Sequence, residues 1–331
     1  MRGKMNNNIT SENAVSDFLG VVENILPSYR FDQYRLYPST DRNVWQVYLI
    51  NRLNDHFQSK DSYCFFEVIN NLPFLIGCQI SRWDEEHFGF KMANINWVIA
   101  PEDTISNKVT DNLINSCISF LRDEGVRFVL SRICSDDTQM LHLFEDKGFR
   151  YYESTVYPIA KCADLSLPVD TSVRLATNAD LDDISRIAEQ HQYQRGHYYC
   201  DVKFDNKRVD TMYVKWIRTS IENNEPIAVF VDKGKVTGYF AFVLDEELSK
   251  FTGYKYGRMT SLATDSSIRG KGFGMQFFQG VIALLTEMGV RYIASEYATK
   301  NIVSTRLHMK NLFYPLHEKV LLHLWLIPIH L

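Results

Sequence analysis

The chain has 331 residues, of which 45% are hydrophobic and 13% aromatic, and its formal net charge is -4 at pH 7. This length allows two ordinary domains with packed cores. The small, mixed charge argues against a polyanion such as nucleic acid as the main partner. The six cysteines lack CxxC or other metal-like spacing, so they predict buried thiols in a reducing compartment and no metal site.

Neither end of the chain predicts a targeting or membrane segment. The beginning, MRGKMNNNITSENAV, lacks the apolar core of a secretory signal. The final run, VLLHLWLIPIHL (320–331), is apolar, but it is short and is interrupted by histidines and by Pro328. It therefore predicts a buried strand and not a membrane span. We expect a soluble, cytoplasmic protein.

An internal repeat organises the chain. The segment ISFLRDEGVRFVLSRICSDDTQMLHLFEDKGF (118–149) aligns without a gap with IALLTEMGVRYIASEYATKNIVSTRLHMKNLF (282–313). The alignment places Gly125 on Gly289, and Gly-Val-Arg recurs in both copies. Each copy predicts a helix that ends at its glycine, followed by a strand, a second helix and a final strand.

The repeat predicts two related α/β domains. We assign them to residues 1–165 and 172–331. The boundary is expected near 163–175, where Pro168 and short polar residues interrupt the pattern.

The second half predicts a mixed sheet with helices on its faces. In chain order the predicted elements are β-α-α-β-β-β-loop-α-β-α-β. The first helix is expected to begin near Asn178 or Asp180, either of which could cap it. A hairpin is expected at Asp232-Lys233-Gly234. The segments that carry these predictions are SVRL (172–175), DTMYVKWIRTSIENN (210–224), PIAVFVDKGKVTGYFAFVL (226–244), YGRMTSLAT (256–264) and GMQFFQGVIALLTEMG (274–289).

The loop Arg269–Gly274, RGKGFG, has more glycines than a turn needs. Closely spaced glycines between a strand and a helix let backbone N–H groups converge on a ligand, and the helix N-terminus adds positive charge. The arrangement suits a pyrophosphate, although neither GxxxxGK[ST] nor GxGxxG is present. In the first copy the corresponding residues 105–110, ISNKVT, contain no glycine. The first domain is therefore expected to be a scaffold or a wall of the acceptor pocket.

The pattern R-x-x-G-x-G resembles the pyrophosphate signature of the GNAT superfamily of CoA-dependent N-acyltransferases. The element order, Asn301 at the start of the last helix and the degenerate upstream copy strengthen this resemblance. The chain more particularly resembles the dTDP-fucosamine acetyltransferases and related nucleotide-amino-sugar N-acyltransferases. That resemblance rests on the loop and on the segments RWDEEHFGFKMANI (82–95), QYQRGHYYCDVKF (192–204) and NIVSTRLH (301–308). It implies tandem GNAT-like domains with a degenerate first copy.

The resemblance implies acyl-CoA as co-substrate, either acetyl-CoA or 3-hydroxybutanoyl-CoA. In a GNAT fold the strand before the glycine loop separates from its neighbour and pairs with pantetheine. Asn301 sits where family members contact pantetheine, and it could also cap the helix. The residues that the resemblance assigns to the cofactor are Leu262, Ala263, Thr264, Arg269, Gly270, Lys271, Gly272, Phe273, Gly274, Asn301 and Ser304.

The leaving CoA thiolate needs a proton. Family members commonly supply it from a tyrosine seven residues after the asparagine, but here that position is His308. Because histidine has an unperturbed pKa of about 6.5, His308 is the candidate acid, with Tyr314 or a water as the alternative. No residue stands out as the base that accepts the amine proton. Glu296, Asp265 and His197 are candidates, and a water chain is an equal alternative.

The acceptor site is expected between the first two helices of the second domain. Aromatic and cationic side chains close together suit a nucleobase and a diphosphate. A solvated loop anchored by tyrosines is the alternative. Trp216 is expected to lie in the core because of its helical spacing. The candidate acceptor residues are Arg195, His197, Tyr198 and Tyr199.

The resemblance implies an enzyme that acylates the amine of a dTDP-linked 3- or 4-amino-dideoxyhexose for surface polysaccharide synthesis, in the lipopolysaccharide O-antigen or a capsule. It also implies a homodimer. Two alternatives stay open. The acceptor could be a peptide or protein amine, which a long open groove would favour, or the protein could be a non-catalytic acyl-CoA-binding sensor.

Overall fold

The computed structural model describes most of the chain as two compact units. The first unit is Met1–Glu153 with Lys319–Leu331, and the second is Ser154–Glu318. Residues 319–331, expected in the second domain, therefore group with the first unit. The division into a degenerate and a catalytic domain stays a prediction. The described residues are 2–5, 12–25, 37–38, 41–101, 104–165, 167, 172–190 and 196–326.

The first unit places helices against a mixed sheet. The sheet order is β1-β2-β3-β4-β5-β13, in which the β4–β5 pair is parallel and the other pairs are antiparallel. The strands are β1 (Arg2–Met5), β2 (Ser62–Ile69), β3 (Leu72–Ser81), β4 (Met92–Ile99), β5 (Phe128–Cys134) and the end of β13 (Tyr314–Trp325). The helices are α1 (Glu12–Ile25), α2 (Arg42–Gln58), α3 (Arg82–Phe88), α4 (Thr104–Asp123) and α5 (Thr138–Asp146).

The second unit repeats this architecture. Its sheet order is β6-β11-β10-β9-β8-β7, with β10 and β11 parallel, the other pairs antiparallel, and β12 paired with β6. The strands are β6 (Arg150–Lys161), β7 (Val173–Leu175), β8 (Ile227–Asp232), β9 (Lys235–Asp245), β10 (Tyr256–Thr264), β11 (Tyr292–Ala294) and β12 (Tyr297–Ala298). The helices are α6 (Leu181–Ala188), α7 (His197–Cys200), α8 (Asn206–Glu222), α9 (Glu246–Thr252), α10 (Phe273–Glu287) and α11 (Ile302–Lys310). The mixed α/β fold predicted from the sequence is confirmed.

The two repeat copies share their helix ends. α5 and α11 begin and end at equivalent positions of the gapless alignment. Each is capped by the residue before it, since Asp137 accepts the Met140 N–H and Asn301 accepts the Ser304 N–H. The helices before them stop ahead of Gly125 and Gly289, whose φ angles are 75° and 81°. Glycine adopts this left-handed conformation without steric cost, which explains the stop.

The copies differ at the left-handed residue that follows α5 and α11. In the first copy this residue is Gly148, with φ of 88°. In the second copy it is Leu312, with φ of 58° and a side chain that is 61% exposed. A non-glycine residue in this region is strained by contact between its Cβ and its own backbone. The second copy therefore holds local strain that the first copy avoids.

A close contact with the sheet positions α10. A Cβ added to Gly238 of β9 would lie 2.9 Å from the Phe277 ring, so only glycine lets this ring pack directly on the strand. Phe277 and Phe278 belong to the core between α10 and the sheet. This packing fixes the start of α10 beside the end of β10. In the part of the chain that the structure describes, no helix combines the length and the apolar character needed to cross a membrane.

Candidate functional site

The parallel strands β10 and β11 part midway along β10. Their pairing runs only from Tyr256–Arg258 on β10 to Tyr292–Ala294 on β11. β10 continues beside β9 to Thr264, with a bulge between Met259 and Ser261. A bulge bends and twists its strand, which accounts for the loss of pairing on the other side. The resulting fork is the place where the resemblance expects pantetheine.

The side toward which each residue of β10 points its backbone N–H and C=O groups can be assigned from the C-terminal end of the strand. The Asp265 N–H donates to the Thr237 carbonyl at 2.8 Å, so Asp265 faces β9. Because backbone groups alternate along a strand, Ala263 also faces β9, whereas Leu262 and Thr264 face the fork. Of the three predicted cofactor residues on β10, two therefore direct their backbone groups toward the fork. The side chain of Ala263 is buried in the core.

The glycine loop contains two kinds of glycine. Gly270 and Gly272 have φ angles of 75° and 86°, so the turn into α10 requires them. Gly274 lies in the first turn of α10 without a positive φ, and a Cβ added there would meet nothing within 4 Å. Neither the turn nor the packing needs a glycine at this position. Its absent side chain leaves open space at the helix N-terminus, where an anion is favoured.

The loop is anchored by a buried carboxylate. Asp265 accepts hydrogen bonds from the Ser267 N–H at 2.9 Å, from Gln190 Nε2 at 3.3 Å and from the Arg186 guanidinium. The hydrogen bonds from Ser267 and Arg186 hold the pKa of Asp265 below its usual value. The Ser266 N–H donates to Gln190 Oε1 at 2.9 Å. Asp265, one candidate base, is thus an ion-paired anchor and poorly placed to accept a proton.

Two exposed cations flank the loop. Arg269 donates through Nε and Nη2 to the Thr264 carbonyl at 3.2 and 3.1 Å, which fixes the end of β10. Lys271 is exposed between the two left-handed glycines. Both lie near the N-terminus of α10. The arrangement places two side-chain charges and a helix dipole at one end of the fork, as a pyrophosphate requires.

Asn301 and Ser304 occupy the first turn of α11. Asn301 Oδ1 accepts the Ser304 N–H at 3.1 Å, so the alternative role of Asn301 as a helix cap is observed. The Ser304 carbonyl accepts a hydrogen bond from His308 Nδ1 at 2.8 Å. Ile302 and Val303 are 59% and 70% exposed. A contact of Asn301 or Ser304 with a cofactor stays a prediction.

His308, the candidate acid, is buried. Since a carbonyl can only accept, its Nδ1 carries the proton toward Ser304, and its Nε2 lies 2.8 Å from Ser295 Oγ as the acceptor. Burial lowers the pKa of His308 to about 4. The imidazole is therefore neutral at physiological pH, with its one proton bound to the helix backbone. This geometry favours a hydrogen-bond acceptor over the predicted proton donor.

Aromatic rings enclose His308. The centroids of Phe278, Phe313 and Tyr297 lie 5.0, 4.9 and 4.7 Å from the imidazole centroid. Tyr297 is partly exposed, and burial raises its pKa, so its phenol stays protonated at neutral pH. Sequence reasoning missed Ser295 and Tyr297. Their separation by two positions after a strand, which places side chains on one face, was the available signal.

The other acid and base candidates lie nearby in the sequence but differ in setting. Glu296 is exposed between Ser295 and Tyr297. Tyr314 follows α11, is 44% exposed, and has a pKa that burial raises. The structure shows no hydrogen bond that would activate Glu296 as a base, within the residues described. Its role stays a prediction.

The predicted acceptor residues divide between core and surface. Arg195 lies outside the described residues. His197, Tyr198 and Tyr199 form the short helix α7. Tyr198 is buried, and its ring packs edge-on against Phe204 with centroids 4.9 Å apart, so it serves packing. The His197 ring lies 4.0 Å from that of Tyr198.

An aromatic cluster of Tyr199, Tyr213 and Trp216 lies on α7 and α8. The Tyr199 hydroxyl donates to Asp210, and burial together with this bond raises the Tyr199 pKa. Tyr199 is stacked on Tyr213 at 6.2 Å, and Tyr213 meets Trp216 edge-on at 5.3 Å. Trp216 is 43% exposed, so its predicted core position is wrong. The buried face of α8 passes through its neighbour Ile217 instead.

The sequence model of the acetyltransferase (GNAT) family matches residues 181–312. The second unit contains a GNAT domain. It is an acyl-CoA-dependent N-acyltransferase domain, as the loop predicted. A search of curated protein sequences finds no match. In the described ranges, no cluster of three or more histidine, cysteine or acidic side chains could hold a metal ion.

Solved structures extend the similarity to both units. A GCN5-related N-acetyltransferase from Sphaerobacter thermophilus is similar over 92% of this chain and 96% of its own, at 14% identity and a TM-score of 0.61. A tandem GNAT protein from the clavulanic acid biosynthesis pathway is similar over 99% of both chains, at 11% identity and 0.58. A glucosamine N-acetyltransferase region of a fungal multi-domain GH3 beta-N-acetylglucosaminidase is similar over 98% of this chain and 38% of that chain, at 13% identity and 0.64. These likenesses show the fold, and they confirm the predicted tandem arrangement.

Proposed function

We propose that this protein transfers a short acyl group from acyl-CoA to the amine of a dTDP-linked 3- or 4-amino-dideoxyhexose. The observation that carries the proposal is the fork between β10 and β11, with the anchored glycine loop at one end. Acetyl is the default acyl group, and 3-hydroxybutanoyl is the larger alternative. The acylated nucleotide sugar would be made in the cytoplasm and used in surface polysaccharide synthesis. The proposed assembly is a homodimer.

In this proposal the glycine loop binds the pyrophosphate of CoA. The open space beside Gly274 lets phosphate oxygens approach the first N–H groups of α10, which have no partner within the helix. Arg269 and Lys271 supply positive charge. The pantetheine arm then runs along β10 beside Leu262, Ala263 and Thr264. This places the thioester where β10 and β11 part.

The chemistry needs an attack, an oxyanion site and a proton. The amine attacks the thioester carbonyl, and a backbone N–H of β10 stabilises the developing oxyanion. The thiolate that leaves receives its proton from the Tyr297 phenol, which stays protonated at neutral pH and lies beside the Ser295–His308 pair. An amine on a sugar ring is less basic than a lysine amine, so weak base assistance from Glu296 or water suffices.

The aromatic cluster supports a nucleotide-sugar acceptor. Exposed tyrosine and tryptophan faces suit the flat surfaces of a nucleobase or a sugar ring. Trp216 and Tyr213 offer such faces on the helix next to α7, where the resemblance expects the acceptor. The fungal region of similar fold is described as a glucosamine N-acetyltransferase, which is an amino-sugar reaction.

A thiol-release assay tests this function. Purified protein is mixed with acetyl-CoA and a panel of dTDP-amino sugars and amine-bearing peptides. Release that depends on one nucleotide sugar would support the proposal, and Lys271→Glu should weaken CoA binding. Lys233→Glu makes the same charge change at an exposed hairpin and serves as the matched control. CoA binding without release from any sugar would contradict the proposal, favouring a peptide acceptor if peptides react and a sensor if nothing does.

A further inference from the structure

The parallel strands of the two repeat copies part at different places. In the first copy, the last pair between β4 and β5 joins Ile95 to Ser131. In the second copy, the last pair between β10 and β11 joins Arg258 to Ala294, so Ser295, the equivalent of Ser131, is unpaired with β10. A bulge occurs at the equivalent position in both copies. The bulge therefore explains why the strands part, but not why the second copy opens one residue sooner.

The two equivalent serines donate their hydroxyl protons in different directions. The Ser131 hydroxyl donates to the Ile95 carbonyl at 3.4 Å, which links β5 to β4. The Ser295 hydroxyl donates instead to His308 Nε2 at 2.8 Å, which links it to α11. In the first copy the equivalent of His308 is Phe144, which offers no acceptor. The histidine therefore accounts for a serine that is turned away from the neighbouring parallel strand.

Packing alone does not require a histidine at this position. The centroids of Phe144 and Phe149 lie 4.9 Å apart, the same separation as between His308 and Phe313 in the second copy. Both copies thus place an aromatic ring at this point of the core. A buried imidazole costs free energy unless its nitrogen atoms are hydrogen-bonded. A phenylalanine would fill the position without that cost, so the histidine needs a further reason.

Tyr297 lies against the face of this imidazole. The two ring centroids are 4.7 Å apart and the ring planes are inclined by 34°. The backbone of Tyr297 is held by pairing with Val156 of β6. In the first copy its equivalent is Ile133, a buried aliphatic residue. The tyrosine and the histidine therefore occur together, in the copy that carries the glycine loop.

The phenol and the imidazole differ in which of them can release a proton. Among the residues that the structure describes, the Tyr297 hydroxyl has no hydrogen-bond partner, so its proton is not committed to another group. The single N–H of the neutral His308 donates to the Ser304 carbonyl at 2.8 Å. The histidine is thus fixed on two sides by hydrogen bonds, while the phenol beside it keeps its proton available.

We propose that His308 is a positioning residue for acyl transfer. Its hydrogen bond to Ser295 keeps the chain beyond β11 away from β10, and its fixed ring supports the Tyr297 phenol beside the opening. The inference rests on the proposed function, in which the amine attacks the thioester directly. The phenol O–H bond breaks as the S–H bond of CoA forms, and the proton that the amine loses restores the phenol. His308 transfers no proton in this scheme.

Kinetics of single and double variants test whether His308 acts through Tyr297. Tyr297→Phe should lower kcat by about a hundredfold or more, because the general acid is lost. His308→Phe should lower kcat by about ten- to a hundredfold through misplacement of the phenol, and KM for acetyl-CoA should stay unchanged. The double variant should be no slower than Tyr297→Phe alone, since a residue that acts only through the phenol has nothing left to position.

A matched pair of serine variants tests the hydrogen bond itself. Ser295→Ala removes the link to α11 and should lower kcat in the same direction as His308→Phe. Ser131→Ala makes the same change in the first copy and should leave kcat unaltered. Equal kcat values for Ser295→Ala and the unmodified protein would overturn the role given to this bond.

Fluorine NMR gives a readout that needs no acceptor. The protein is labelled with 3-fluorotyrosine, and the signal of Tyr297 is identified by its absence from Tyr297→Phe. We expect one sharp signal in the unmodified protein, and a shifted and broadened or divided signal in His308→Phe. The signals of the other tyrosines should stay in place, which shows that the variant is folded.

The outcomes separate this inference from the proposed function. An unchanged Tyr297 signal in His308→Phe would overturn the inference whether or not a sugar is acylated. So would a double variant whose kcat falls by the product of the two single effects. A changed Tyr297 signal in a protein that binds CoA but acylates no nucleotide sugar would support the positioning of the phenol and contradict the proposed function.

Discussion

Gly274→Ala separates a ligand role of the glycine loop from a structural one. Gly274 lies in the first turn of α10, has no positive φ, and has open space where a Cβ would stand. Alanine at this position should therefore stabilise the fold. Replacing glycine by alanine inside a helix stabilises it by about 1 kcal/mol, and we expect about half of that in the first turn. If CoA phosphates approach this position, the added methyl group displaces them.

The expected cost to binding follows from the hydrogen bonds at the helix N-terminus. Loss of one hydrogen bond to a charged phosphate costs about 1.5–3 kcal/mol, which corresponds to a rise in the CoA dissociation constant of about ten- to a hundredfold. Stability and affinity should thus change in opposite directions. A purely structural glycine would show no such opposition.

The assay combines urea unfolding with calorimetric titration of CoA. Gly20→Ala is the matched control, because Gly20 lies within α1, is exposed, and also has open space around an added Cβ. It should raise stability and leave CoA affinity unchanged. Unaltered CoA affinity in Gly274→Ala would refute the placement of the pyrophosphate.

Three further substitutions test the description of the second unit by urea unfolding. Leu312→Gly should raise the free energy of unfolding by about 1 kcal/mol by relieving the left-handed strain, and no gain over Leu312→Ala would contradict that strain. Gly238→Ala should lower the free energy of unfolding by about 1–3 kcal/mol, since the new Cβ meets the Phe277 ring. An unchanged free energy of unfolding would show that the ring can move aside. His308 has a pKa lowered to about 4 by burial, so the unfolded chain binds its proton first as the pH falls below about 6.5. The free energy of unfolding of the unmodified protein should therefore fall as the pH is lowered from about 6.5 to about 4. The His308→Phe variant should lose less over the same range. An equal loss in both proteins would assign the pH dependence to other groups.

The repeat and the glycine loop were predictable because their signals are local. A left-handed residue favours glycine wherever it occurs, so Gly125 and Gly289 marked two helix ends. The loop likewise follows a strand and begins a helix, and both boundaries can be read from periodicity. A family match to residues 181–312 and the tandem structural neighbours agree with these predictions.

The chemistry at the fork was less predictable because it depends on distant contacts. The environment of His308 is set by Ser295 and by three rings on different elements, and sequence spacing does not encode the direction of a side chain in a core. The exposure of Trp216 depends on which face of α8 the sheet covers. The loop anchor is similar, since Arg186 and Asp265 meet only after α6 packs near β9.

The most direct test of the central claim is to identify the product. The protein is incubated with acetyl-CoA and a dTDP-linked amino-dideoxyhexose, and the nucleotide sugar is analysed by mass spectrometry and NMR. The account predicts a nucleotide sugar that carries one acetyl group on its amine nitrogen, with one CoA released for each product molecule. Recovery of unchanged 3- and 4-amino sugars from a protein that binds acetyl-CoA would contradict it.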